Sequence, residues 1–200
     1  MRKPILALAA ISLSLCFVLQ TSMAIKAQAQ TDLVDSDEFF QRASRTAPER
    51  DQTRKIEDLL KRMTLEEKVG QMTQLTIGMI VSGSDQDLKI DPAKLEKAIV
   101  KYGVSSILNV SDQALTIDRW HEIIGQIQEA ATRKTRLGIP VIYGIDSIHG
   151  ANYVQGATLF PQEIGMAATW NPELMKRASE IAAIETRAAG IPWSFSPVLD

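Results

Sequence analysis

From residue 54 onward the chain alternates amphipathic stretches with short apolar runs. Ile56, Leu59, Leu60 and Met63 fall at the i, i+3, i+4, i+7 spacing that gathers side chains on one helical face, and that face is expected to point into a core. Thr64 followed by Glu67 is a reciprocal capping pair, so a second helix is expected to start there. Asp91 before Pro92 repeats the start signal, Leu95, Ala98, Ile99 and Tyr102 supply a buried face, and Gly103 suits a stop. A short β-type run follows at 104–108. The clearest helix carries Trp120, Ile123, Ile124, Ile127 and Ala131 on one face, with Gly138 beyond its end and a buried strand predicted at 139–145. Asn171 and Pro172 open another helix with Leu174, Ala178, Ile181, Ala182 and Glu185 along it, closed by Gly190. Residues 193–199 are the next strand candidate.

Strand and helix in alternation predict an α/β fold, a parallel sheet covered by helices. A β/α barrel and an open α/β sheet both fit, and in either one chemistry gathers at the carboxyl ends of the strands. No glycine-rich phosphate loop stands at a strand end, which argues against the dinucleotide-binding form of the open sheet.

The chain before residue 54 follows a different logic. Arg2 and Lys3 precede an apolar run at 5–19, and small residues follow it, the pattern of a secretory signal peptide. Cleavage after Ala24 and cleavage after Ala29 both satisfy the small-residue rule. A run of about 15 residues is short for a membrane span, which needs about 20, so removal is expected and no membrane association after it. Cys16 sits inside the apolar run behind Leu15, as part of the signal core rather than a lipid attachment site. Residues 30–53 are polar and acidic and read as a leader to the folded part.

Composition narrows the function. With 45% hydrophobic and 23% charged residues the chain is an ordinary globular one, and a net charge of −2 offers no field for a phosphate backbone. Nucleic acid is not an expected partner. Loss of Cys16 with the signal leaves no thiol for a disulfide, a nucleophile or a metal site. His121 on a helix and His149 in a loop form no ligand cluster of recognisable spacing. No metal and no cofactor are expected.

The candidate site lies just after the strand at 139–145. Asp146 and His149 stand where a barrel presents ligands, and the loop behind them is rich in Gly, Asn and Gln, suited to a neutral polar molecule such as a sugar. His149 is expected to be a buried, hydrogen-bonded residue that shapes the loop. Glu163 and Glu185 are expected to be structural, and Trp170 and Trp193, each beside an element boundary, are expected in the core.

Four ordered blocks, MTLEEKVGQM at 63–72, YGIDSIHG at 143–150, ATLFPQ at 157–162, and ATWNPEL at 168–174 with GIPWSFSPVLD at 190–200, resemble family 3 glycoside hydrolases. The YGIDSIHG block is the most specific of them. The resemblance covers residues 54–200 and implies the N-terminal part of a (β/α)8 TIM-type barrel. It also implies retaining hydrolysis of terminal β-D-glucosyl residues, with a small β-glucoside or oligosaccharide as substrate and a secreted or periplasmic location. Asp146 matches the carboxylate that binds hydroxyls of the sugar before the scissile bond. The family's nucleophilic aspartate, its acid/base and the Lys-His pair and arginine that help hold the sugar come later in the chain, so no catalytic residue is expected up to Asp200. A whole barrel takes about 250 residues, so 54–200 is expected to stop before closure, with an open edge, exposed apolar surface, poor solubility and no activity by itself. A β-xylosidase or exo-glucanase of the same family and a non-catalytic secreted sugar-binding remnant are the alternatives. The β-N-acetylhexosaminidase branch tends to carry an Asp-Gln-Glu-Gly-Gly type sequence where this chain has Asp146, Ser147, Ile148, His149 and Gly150.

Overall fold

The computed structural model describes residues 50–83, 87–109 and 113–198. The signal and almost all of the leader, like Leu199 and Asp200, fall outside them. The chain divides into two units, Met1–Asp58 and Leu59–Asp200. The described part of the first is the beginning of α1 (Arg50–Arg62), which starts ahead of residue 54.

In the second unit, α2 (Leu65–Gln71) begins on the expected cap: the Glu67 amide donates to Thr64 Oγ1 at 3.2 Å, and the Thr64 amide donates to Glu67 Oε2 at 2.9 Å. Then come β1 (Gln74–Thr76), a short 3-10 turn, and β2 (Val81–Ser82), which pairs antiparallel with β3 (Lys89–Ile90). Helix α3 (Pro92–Leu95) is capped by the Asp91 carboxylate and continues as π-helical turns over Glu96–Lys101. β4 (Ser106–Leu108), α4 (Ile117–Lys134), β5 (Ile142–Ile145), α5 (Glu163–Ala167), α6 (Pro172–Ala188) and β6 (Trp193–Ser194) complete the order. Gly103, Gly138 and Gly190 follow α3, α4 and α6 with φ of 63°, 62° and 84°, the left-handed conformation that ends a helix without a Cβ penalty.

The four strands β1, β4, β5 and β6 form one sheet, in that order and all parallel. Each newly added strand pairs with the one before it in this series, so the winding never reverses. An open doubly wound sheet has a reversal point; steady addition in one direction is the winding of a β/α barrel. Of the two architectures that the pattern allows, this winding is the one that a barrel keeps throughout.

The two faces of the sheet have different surroundings. Ile107, Tyr143 and Ile145 are buried, and the Tyr143 ring meets Trp120 of α4 edge-on at 5.5 Å. On the other face the register aligns Gln74, Ser106 and Ile142, then Gly144 and Trp193. Gln74 donates to Ser106 Oγ at 2.8 Å, while Ile142 is 53% and Trp193 43% exposed. Side chains on a strand alternate between faces, and within β5 Tyr143, Gly144 and Ile145 are buried while Ile142 is exposed, so the expectation of a wholly buried strand fails there at Ile142.

Three further expectations are corrected. Of the first apolar face, Ile56 and Leu60 are exposed, Leu59 is half-buried and only Met63 is buried. Tyr102 is exposed, because the π-helical widening of α3 turns it off the face that buries Leu95, Ala98 and Ile99. Trp170 is 84% exposed and, like Trp193, is not a core residue.

Candidate active site at the carboxyl ends of β4 and β5

Asp146 directly follows β5, and Asn109 directly follows β4. Because these strands are parallel neighbours with Leu108 level with Gly144, the two residues emerge side by side at one end of the sheet. Asn109 Nδ2 donates to Asp146 Oδ2 at 2.9 Å, and the Asp146 amide donates to Asn109 Oδ1 at 3.3 Å. Asn109 has φ of 57°, a left-handed conformation that Asn tolerates better than most residues. Its own amide donates to Gly144 O at 3.0 Å, and its carbonyl accepts from the Tyr143 hydroxyl. Burial pushes that hydroxyl well above the usual tyrosine value, so it stays a proton donor. Asp146 itself is half-buried.

The following loop is tied down from both sides. Trp120 Nε1 donates to Tyr153 O at 2.9 Å, and the backbone of Leu115 pairs with Tyr153 and Gln155. From α6, Glu185 accepts from the Thr158 amide and from its hydroxyl, each at 2.9 Å. Ser147 is buried; its hydroxyl accepts from Thr186 Oγ1 at 3.0 Å and its carbonyl from Ser194 Oγ at 3.3 Å. Gly150 turns with φ of 119°, and a Cβ there would lie 2.2 Å from Thr158 O, so only glycine lets the loop fold back on itself.

His149 is half-buried, with Nδ1 3.0 Å from Phe160 O, while the Phe160 amide donates to the His149 carbonyl at 2.8 Å. It shapes the loop as expected, though it is less buried. Glu185 likewise fastens a loop, and Glu163 accepts from Ser196 Oγ at 3.3 Å. The Asn152 amide, in the orientation that satisfies it, donates to Gly150 O and Asp146 O at 3.1 and 2.9 Å. That loop amide is therefore committed internally rather than offered to a ligand. Among the described residues no group of three or more His, Cys, Asp or Glu is placed to hold a metal ion, and no helix is long and apolar enough to cross a membrane.

The site therefore consists of one half-buried carboxylate at a strand's carboxyl end, oriented by a neighbouring amide and backed by a pinned loop. The sequence profile of the glycosyl hydrolase family 3 N-terminal domain matches residues 64–200. This chain belongs to glycoside hydrolase family 3. A lysosomal β-glucosidase of Dictyostelium discoideum is 38% identical over 152 residues, an alignment covering 72% of this chain and 18% of that protein. The exo-1,3/1,4-β-glucanase of a Pseudoalteromonas species shares the fold with a TM-score of 0.64 at 34% identity, covering 76% of this chain and 24% of that one. The β-glucosidase of Listeria innocua, solved with isofagomine, matches with a TM-score of 0.53 at 30% identity, covering 76% and 18%. This family 3 chain thus spans about a fifth to a quarter of the length of these relatives, and its sheet supplies four strands of the family's N-terminal barrel.

Asn109 is the residue of this site that sequence reasoning missed. Its one local signal is a polar, left-handed-tolerant residue placed directly after a β-type run.

Proposed function

We propose that the full-length protein to which this chain contributes is a retaining glycosidase that removes terminal β-D-glucosyl residues from glucosides or oligosaccharides. Asp146 binds hydroxyls of the sugar that occupies the site. The observation that carries this reading is the Asp146 carboxylate, half-buried at the carboxyl end of β5, with one oxygen held by Asn109 and, among the described residues, no hydrogen bond to the other. A carboxylate suits the task because its oxygens accept short charge-assisted hydrogen bonds from neighbouring hydroxyls. Retaining chemistry further needs a nucleophilic carboxylate and an acid/base about 5 Å apart, and the proposal places both in the protein beyond position 200. Export through a removable segment at 1–24 puts the enzyme in the periplasm or the medium, where such oligosaccharides are met.

The test is steady-state hydrolysis of an aryl β-D-glucoside by the full-length product, with aryl β-D-xyloside and laminaribiose beside it. Each hydrogen bond to a charged group contributes about 1.5–3 kcal/mol, so Asp146→Ala is expected to lower kcat/KM by about a hundredfold or more on the preferred substrate. Asp146→Asn, which keeps the shape and loses the charge, is expected to fall between. Full efficiency in Asp146→Asn sinks the assignment of this residue. A preference for the xyloside moves the activity to the β-xylosidase side of the family.

A further inference from the structure

We infer that Asn109 is a positioning residue for Asp146, selecting the rotamer in which one carboxylate oxygen is held by protein and the other is left for the sugar. The inference rests on the sugar-binding reading of Asp146.

Asn109 grips Asp146 at two points, its amide nitrogen on Oδ2 at 2.9 Å and its amide oxygen on the main-chain N–H at 3.3 Å. A two-point contact fixes the carboxylate relative to its own backbone, which a single bond does not. Asn109 is fixed in turn, because its N–H is given to Gly144 O at 3.0 Å and its carbonyl receives the buried Tyr143 hydroxyl. The chain of contacts runs from the core residue Tyr143, through the left-handed Asn109, to the carboxylate at the surface of the sheet end. The donor is also of the right kind. A neutral amide satisfies one lone pair of Oδ2 and leaves the charge of the carboxylate in place for hydroxyl donors, whereas a lysine or arginine would neutralise it and an acid would repel it. Oδ2 keeps a second acceptor site and Oδ1 both of its own, enough for two adjacent hydroxyls.

Two variants of the full-length protein separate positioning from a merely structural turn. Asn109→Gly adopts φ of 57° freely and keeps both backbone bonds while deleting the amide. Asn109→Asp keeps the shape and sets an acceptor against Asp146 Oδ2. Ligand-free crystal structures report the Asp146 rotamer, and kinetics on an aryl β-D-glucoside report its use. In Asn109→Gly the carboxylate is expected in more than one rotamer, with kcat/KM down about tenfold, the effect of one lost hydrogen bond, and Tm close to the parent. In Asn109→Asp the fall is expected to be larger. In an Asp146→Ala background, Asn109→Gly is expected to cost nothing further, the non-additivity of residues that act through one another. A single unchanged rotamer in Asn109→Gly, an unchanged kcat/KM in an active parent, or a full extra penalty in the Asp146→Ala background each overturns the inference. If the parent hydrolyses no β-glycoside, the proposed activity fails, and the ligand-free rotamer still decides whether Asn109 positions Asp146.

Discussion

Helices α4 and α6 each join one strand of the sheet to the next and are nearly equal in length, 18 and 17 residues. Their packing is nevertheless opposite in character. α4 buries Trp120, Ile123, Ile127, Ala130 and Ala131, so beyond the exposed Ile117 of its first turn its large side chains go inward. α6 buries Ala178, Ala182 and Thr186 and leaves Leu174 and Ile184 outside, the latter 65% exposed. The difference follows from what each helix lies beside. α4 spans β4 and β5, which have neighbours on both sides, whereas α6 leads into β6, an edge strand of the described sheet. A helical period shows that a face exists, and the neighbouring elements decide whether large residues on it are covered.

If that contrast is right, the largest single loss comes from α4. Trp120→Ala removes a fully buried ring, its edge contact with Tyr143 and the indole bond to Tyr153 O. A loss of about 3–5 kcal/mol is expected, read as a lower midpoint in urea unfolding. Next comes Gly150→Ala, in the loop that α4 and α6 pin from opposite sides. The added Cβ meets Thr158 O and the φ of 119° suits only glycine, so about 1–3 kcal/mol is expected, together with weaker binding of the sugar that Asp146, at the start of the loop, is proposed to hold. Ile184→Ser on α6 is expected to change stability by no more than about 0.5 kcal/mol. A loss above about 2 kcal/mol there breaks the contrast, since it means that the outward face of α6 is covered in the full-length protein.

The same contrast explains what could be read from the sequence. Features built from neighbours in the chain were legible: the Thr64–Glu67 cap, the Asp91 and Asn171 caps, and the Trp120 to Ala131 stripe all appear as expected. Asp146 was legible as a residue at a strand's carboxyl end. Features built from distant partners were not. Gln74–Thr76 holds a single large apolar residue and is a strand because it pairs with Ser106–Leu108. Asn109 gains its meaning from Asp146, 37 positions later. Trp170 and Trp193 are expected in the core as tryptophans beside an element boundary, and exposure of a tryptophan depends on surroundings that neither residue type nor that position specifies.

The smallest effect sharpens the contrast at the helix ends. Beyond α4, Arg136 reaches Glu67 of α2 through Nε at 2.9 Å and a second nitrogen at 2.5 Å, and also donates to Arg62 O. The ion pairs that α6 makes among the described residues, Lys176–Glu180 and Arg177–Glu180, stay within the helix. The Arg136 guanidinium, followed by the Thr64 amide, holds the Glu67 carboxyl below the usual glutamate value. A carboxylate whose pKa is depressed by folding stabilises the fold above its unfolded value and loses that contribution as pH falls through the folded one. Glu67→Gln is therefore expected to lower Tm slightly at pH 7, with the gap to the parent closing as the solution is acidified below about pH 4 and shrinking in high salt. Glu180→Gln, which removes only contacts within α6, is expected to shift Tm less than Glu67→Gln at neutral pH. Equal shifts would mean that the tie between α2 and the end of α4 adds nothing to what an exposed helical pair provides.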